Sequence, residues 1–165
     1  TRLHPVRGRM HVMGKQHGMS QEIVDYDHTQ DALDKVLAAL CDQVQGRLIC
    51  SVGCGGNRDK GKRAEMAQVV AARANRAWFT SDNPRDESPE AILQDMLNGL
   101  TSQQQRAVHV EQDRASAIAL AIQSAGPDDV IVIAGKGHES TQEIDGIKYP
   151  FNDAQVAQKI MKENA

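Results

Sequence analysis

Apolar residues run along this chain in two alternating rhythms, short unbroken clusters and stretches with 3- and 4-residue spacing. Leu48-Ile49-Cys50-Ser51-Val52 and Val130-Ile131-Val132-Ile133-Ala134 read as short buried strands. Ala32, Leu33, Val36, Leu37 and Leu40 mark one face of a helix, with Thr29 as its N-cap. The chain then repeats a strand, loop, helix unit. A glycine-rich loop from Gly53 to Gly61 precedes a helix over 63–74. A strand Ala77–Thr80 leads through the polar loop Ser81–Ser88 into a helix over 89–100 with Pro89 in its first turn. Ala107–Val110 precedes a helix over 113–124, and Phe151–Met161 closes the chain as another helix. Hairpins are expected at both ends, Met10–Met13 with Gln21–Tyr26 around Gly14–Gly18, and Thr141–Tyr149 turning at Asp145-Gly146. This alternation predicts one α/β domain, a Rossmann-like three-layer fold with a mostly parallel sheet and helices on both faces.

Length agrees with a single domain, because 165 residues can close one core. Only five residues are aromatic, so that core must be aliphatic. A net charge of −3 lacks the basic excess of a nucleic-acid binder, and no apolar run approaches the ~20 residues of a membrane span. No nucleic acid, no membrane and a cytoplasmic location are therefore expected. The cysteines Cys41, Cys50 and Cys54 lack the pairing of a zinc site and read as reduced thiols. The opening Thr1-Arg2 suggests a processed chain or a piece of a longer one.

In a parallel sheet ligands bind at the carboxyl ends of the strands. Three loops lie there, 53–61, 81–88 and 135–140. Gly56-x4-Gly61-Lys62-Arg63 resembles a P-loop, but Arg63 replaces the Ser or Thr that holds Mg²⁺. The same loop could still rest an anion on its backbone N–H groups and on Arg58, Lys60, Lys62 and Arg63, or be a solvated basic turn. Asp25-Tyr26-Asp27-His28 could ligate a metal or simply favour the dipole of the helix that follows. Ser81-Asp82-Asn83-Pro84-Arg85 offers a carboxylate, an amide and a guanidinium, the groups that recognise a zwitterion, or it is a capped turn. Glu139 in Gly135-Lys136-Gly137-His138-Glu139 could meet a second ammonium, or belong to a solvated loop.

These segments together resemble the C-terminal domain of the Mur ligases, of the type that adds meso-diaminopimelate and makes UDP-N-acetylmuramoyl-tripeptide. The resemblance rests on Gly8-Arg9-Met10, Asp25-Tyr26-Asp27-His28-Thr29, the loop Gly53 to Arg63, Asp82-Asn83-Pro84-Arg85 and Gly135 to Glu139, in that order. The sequence departs from that pattern at His11, Asp27, Gln30 and Asn57. The resemblance implies the third domain of an ATP-dependent ligase whose N-terminal and central ATPase domains are not in this chain. It also implies that Arg58, Asp82, Asn83, Arg85, Gly135 and Glu139 bind meso-diaminopimelate. Arg9, Asp25 and His28 would reach the nucleotide. ATP and Mg²⁺ would be held mainly by the central domain, UDP-N-acetylmuramoyl-dipeptide through the other domains, and no metal by this one. No catalytic residue is expected within this domain alone. Two other classes remain open on the residues themselves, a stand-alone small-anion or nucleotide-binding module and a metal enzyme built on Asp25, Asp27 and His28.

Overall fold

The computed structural model describes the backbone of residues 10–13 and 22–26, and residues 30–57, 59–136 and 139–163 in full. Eight strands and six helices alternate there. In chain order they are β1 (Met10–Met13), β2 (Glu22–Tyr26), α1 (Gln30–Gln43), β3 (Leu48–Cys54), α2 (Gly61–Arg73), β4 (Arg76–Ser81) and α3 (Pro89–Asn98). They continue with α4 (Ser102–Ala107), β5 (Val108–Val110), α5 (Arg114–Ser124), β6 (Val130–Ala134), β7 (Thr141–Ile144), β8 (Ile147–Pro150) and α6 (Asp153–Glu163).

Six strands form one sheet in the order β1-β2-β6-β3-β4-β5. Every pairing is parallel except β1 with β2 at the edge. β3 and β6 at its centre are buried on both faces, which is why they read as continuous apolar runs rather than alternating ones. Their side chains divide between two cores. Leu48, Cys50, Val52, Val130 and Val132 pack with Leu33, Leu37, Met66, Val70, Leu93 and Met96 of α1, α2 and α3. Ile49, Ile131 and Ile133 pack on the opposite face with Ile118 and Ile122 of α5 and Met161 of α6. Phe79 is the one aromatic among the buried residues of the first core, and hiding it is worth about 1.5–3 kcal/mol. Among the described residues no helix is long and apolar enough to cross a membrane.

The three-layer, mostly parallel architecture is the one expected. Several boundaries differ and one element is new. β3 runs two residues past Val52 into the glycine loop, and α2 begins at Gly61. α4 has no counterpart in the periodicity because it buries no residue and so has no apolar stripe. Its start is nevertheless written locally: Thr101 accepts from Gln104 N–H while the Gln104 side chain accepts from Thr101 N–H. The C-terminal hairpin turns where expected, with Asp145 and Gly146 at φ of 52° and 76°. β1 and β2 pair as expected, but the Gly14–Gly18 connection and the Thr29 cap lie outside the described residues.

This topology fixes where a ligand can sit. β3, β4 and β5 succeed one another in one direction across the sheet, with α2 and α3 on one face. α5 then returns the chain along the other face to β6, which lies beside β3. The loops leaving β3 and β6 therefore part toward opposite faces and open a crevice between them.

Candidate functional site

A cavity of about 730 Å³ occupies that crevice, lined by Gly53, Cys54 and Gly55 from the end of β3, by Asp82 and Gly135, and by Asp59, Lys62 and Met66. Glycine is needed on the β3 side for close approach. A Cβ on Gly53 would stand 2.7 Å from the backbone N of Asp82, and one on Gly56 would stand 1.8 Å from the Pro84 carbonyl oxygen. The two loops are stitched there: Gly56 N–H donates to the Asn83 carbonyl at 2.7 Å, and Arg85 Nη1 donates to the Gly56 carbonyl at 2.9 Å. Gly135 turns the chain out of β6 at φ 129°, a conformation that only glycine adopts easily.

Asn83 is the hub beside this cavity and is 7% exposed. Its Oδ1 accepts from Lys136 Nζ and from Glu143 N–H, both at 2.8 Å, and its Nδ2 donates to Glu139 Oε2 at 3.1 Å. Asp82 Oδ1 lies 3.1 Å from Lys136 Nζ, an ion pair without hydrogen-bond alignment, so this buried oxygen has no hydrogen-bond donor among the described residues. Arg85 is held at φ 54°, an unusual conformation for a long side chain. The β7–β8 hairpin fixes it there: Arg85 N–H donates to the Glu143 carbonyl at 3.0 Å, and Asp145 N–H donates to the Arg85 carbonyl at 2.7 Å. Glu143 Oε2 stands 3.8 Å from Arg85 Nε. Arg85 is thus no solvated residue of a capped turn. The cap of α3 is Ser88, three residues on, which accepts from Ala91 N–H.

Behind the loops lies a buried clamp. Arg114, at the start of α5, donates from Nε and Nη2 to the two oxygens of Asp153, each at 2.7 Å. Its Nη1 donates to the Ser81 carbonyl at 3.1 Å and its Nη2 to the Ala134 carbonyl at 3.2 Å. One guanidinium therefore sets the spacing of the β4 and β6 ends, and with it the positions of Asp82 and Gly135.

Of the residues expected from the sequence to share one site, Asp82 and Gly135 line this cavity, while Asn83, Arg85 and Glu139 are joined to its loops by hydrogen bonds and ion pairs. Arg58, Arg9 and His28 lie outside the described residues. Asp25 is described only as backbone, next to last in β2 and paired with Ile133 of β6. Lys136, part of the Gly135 to Glu139 motif but given no role of its own there, joins the site, as do Gln142, Glu143, Arg114 and Asp153, which did not stand out in the sequence. For Arg114 a signal exists. It falls at 3- and 4-residue spacing with Ala117, Ile118, Ala121 and Ile122, the buried stripe of α5.

Arg63 corrects the expectation of a glycine loop whose basic groups all face an anion. Its guanidinium is 2% exposed and already engaged. It donates to Glu87 at 2.6 Å, to Asp95 at 2.9 Å and to the Gly55 carbonyl at 3.1 Å. Burial alone would lower its pKa, yet the hydrogen bonds to Glu87 and Asp95 prevail and raise it. Arg63 shapes the loop from inside. Cys54, on the wall of the cavity, is pushed up to about 12 by burial and by the Asp82 carboxylate, against the pull of Arg63. At neutral pH it presents a thiol, not a nucleophile.

A family model described as Mur ligase, glutamate ligase domain matches residues 8–137. The chain belongs to this family. Among proteins it resembles is the UDP-N-acetylmuramoyl-L-alanyl-D-glutamate--2,6-diaminopimelate ligase of Coxiella burnetii (strain RSA 493 / Nine Mile phase I), 50% identical over 161 residues, which are 98% of this chain and 32% of the relative. The protein of the same name from Xylella fastidiosa (strain 9a5c) is 46% identical over 159 residues, 96% of this chain and 32% of the relative. A solved structure of a ligase of that name superposes with a TM-score of 0.88 at 39% identity, covering 98% of this chain and 33% of that one. The chain thus spans about a third of the length of the relatives it matches. In this Mur ligase domain the family match stops at residue 137, before Glu139 and the β7–β8 hairpin, whereas the diaminopimelate ligases align along nearly the whole chain.

Proposed function

We propose that this chain is the amino-acid-binding domain of an ATP-dependent ligase that adds meso-diaminopimelate to UDP-N-acetylmuramoyl-L-alanyl-D-glutamate in peptidoglycan synthesis. The observation that supports the reading is the hydrogen-bonded cluster that links Arg85, Asn83 and Glu139 beside Asp82, which itself lines the cavity. Such a set suits a molecule with two ammonium and two carboxylate groups. Asp82 and Glu139 receive ammonium, and the Asn83 amide and the Arg85 fork receive carboxylate. The full length of the similar ligases favours this over a stand-alone anion or nucleotide module, since in them the matching segment is only about a third of the chain. The metal-enzyme alternative rests on Asp25, Asp27 and His28, whose side chains lie outside the described residues.

In the complete enzyme the D-glutamate carboxylate of the peptide substrate becomes an acyl phosphate at the expense of ATP, with Mg²⁺ supplied by the central domain. This domain's residues hold the amino acid so that one of its amines, once it has lost its ammonium proton, can attack that carbon, forming the C–N bond as the bond to phosphate breaks and phosphate leaves. We assign Arg9, Asp25 and His28 to nucleotide binding by the resemblance, and the UDP-sugar peptide to the other domains. Nothing in this chain replaces the phosphate-binding P-loop, so the isolated domain forms no amide.

Arg85 carries the test. Nη1 is committed to loop carbonyls at 2.9 and 3.3 Å, while among the described residues Nη2 carries no hydrogen bond and is available to a ligand carboxylate. Lysine lacks the second carboxylate, so Nη2 would be left without an acceptor while Glu143 stays beside Nε, at a cost of roughly 1–3 kcal/mol. In the complete ligase, Arg85→Ala should damage diaminopimelate use severely and narrow the preference over lysine, mostly through loss of the good substrate. Diaminopimelate kinetics that stay within about twofold, below ~0.5 kcal/mol, sink the assignment.

A further inference from the structure

Beside Asp82, Asn83 and Glu139 lies a fully buried charge, that of Lys136, which is 0% exposed. Its Nζ donates to Asn83 Oδ1 at 2.8 Å and to the Thr141 carbonyl at 3.0 Å, and lies 3.1 Å from Asp82 Oδ1 and 3.6 Å from Glu139 Oε2. It therefore touches three of the groups that would grip the amino acid, yet it is shielded from solvent behind them. We propose that Lys136 is the positioning cation of the amino-acid site and, through its charge, a determinant of which amino acid is accepted. The proposal rests on the amino-acid-binding reading above.

An ammonium can only donate, and so can the backbone N–H of Glu143. Both meet the same atom of the Asn83 carboxamide, which must then be oxygen, and the NH₂ is forced to the Glu139 side. Lys136 thus helps to decide that Asn83 offers a donor to a ligand carboxylate. Its charge has a second effect. Asp82 and Glu139 would by themselves make this end of the crevice a site for cations. The ammonium between them offsets one negative charge, so a ligand's carboxylate can approach as well as its ammonium. Diaminopimelate, with two groups of each sign, is net neutral at pH 7, and lysine is net positive. Removing one positive charge several ångströms from the ligand should move the balance between them by on the order of ten- to a hundredfold.

The experiment is the ratio of kcat/KM for meso-diaminopimelate to that for lysine in the complete ligase, which does not depend on the fraction of active enzyme. Lys136→Met should lower this ratio about tenfold or more, with the loss for diaminopimelate appearing in KM. Lys136→Gln, which can still donate to Asn83 but carries no charge, should lower it less steeply. Glu139→Gln, at a half-exposed position that folding tolerates, should weaken both substrates but raise the ratio, the opposite sign. A folded Lys136 variant with a ratio within about twofold of the parent overturns the proposal, as does a Glu139→Gln enzyme whose ratio falls. A parent enzyme with no preference for diaminopimelate over lysine overturns the proposed function itself, which separates the two failures.

Discussion

Buried cations set this site, and motif reading marks none of them as buried. Arg63, Arg114 and Lys136 are all 2% exposed or less. A long basic side chain is usually solvated, so composition and motif reading place it outside. The acidic and amide residues of the Asp82 to Arg85 loop are legible because they stand together after a strand. Their buried partners come from distant segments, Lys136 from the end of β6 and Glu143 from the hairpin, and no local pattern joins them. Arg114 is the most consequential of the three cations, since Asp153 opposite it is 0% exposed. Arg114→Met should leave that carboxylate buried and unpaired and cost about 3–5 kcal/mol, whereas Arg114→Met with Asp153→Leu should recover much of the loss. Urea denaturation of the parent, the single and the double variant decides it, and a single variant within about 1 kcal/mol of the parent would refute the clamp.

At the scale of elements, periodicity serves well wherever an element buries a face. α1, α2, α3, α5 and the central strands are all readable from spacing, because core packing imposes it. α4 escapes because a short exposed helix is specified by its cap alone. The close contact between the β3 and β4 loops is equally hidden: the glycines are visible, but not which of them touches a neighbour. Gly56 and Gly146 separate these cases. Gly146 sits at φ 76°, and a Cβ there would meet no heavy atom within 4 Å, so Gly146→Ala should cost only the backbone strain, about 1 kcal/mol. Gly56→Ala drives a methyl into the Pro84 carbonyl and must part the two loops, breaking the Gly56 N–H to Asn83 bond. In the complete ligase it should raise the KM for diaminopimelate at least tenfold, an effect of about 1.4 kcal/mol, while Gly146→Ala leaves KM within about twofold. Equal effects on KM would show that the stitching of the loops does not shape the site.

Among the described residues two largely aliphatic cores share one sheet, and Cys50 lies in β3 at its centre, 0% exposed in the first core. Burial raises its thiol from the ordinary 9.0 to about 12, with the Arg114 guanidinium pulling weakly the other way. The sign of the resulting pH dependence is fixed. Below about pH 9 the thiol is protonated in both the folded and the unfolded chain, and its burial contributes fully to stability. Above pH 9 the unfolded chain releases the proton while the folded chain keeps it until about 12, so stability falls as pH rises through that window. The slope is about 1.4 kcal/mol per pH unit for this one group. Alkaline pH alters more of the chain than this one thiol, so the measurement must be a difference. Cys50→Ala removes the titrating group, and its lost packing lowers stability by a nearly pH-independent amount. The stability gap between parent and variant should therefore narrow by about 2 kcal/mol between about pH 8 and pH 10.5, read from urea transitions at each pH. A gap that stays constant would mean that the sheet opens enough around β3 to hydrate Cys50 in the folded state, and that the central strand is less securely buried than its packing shows.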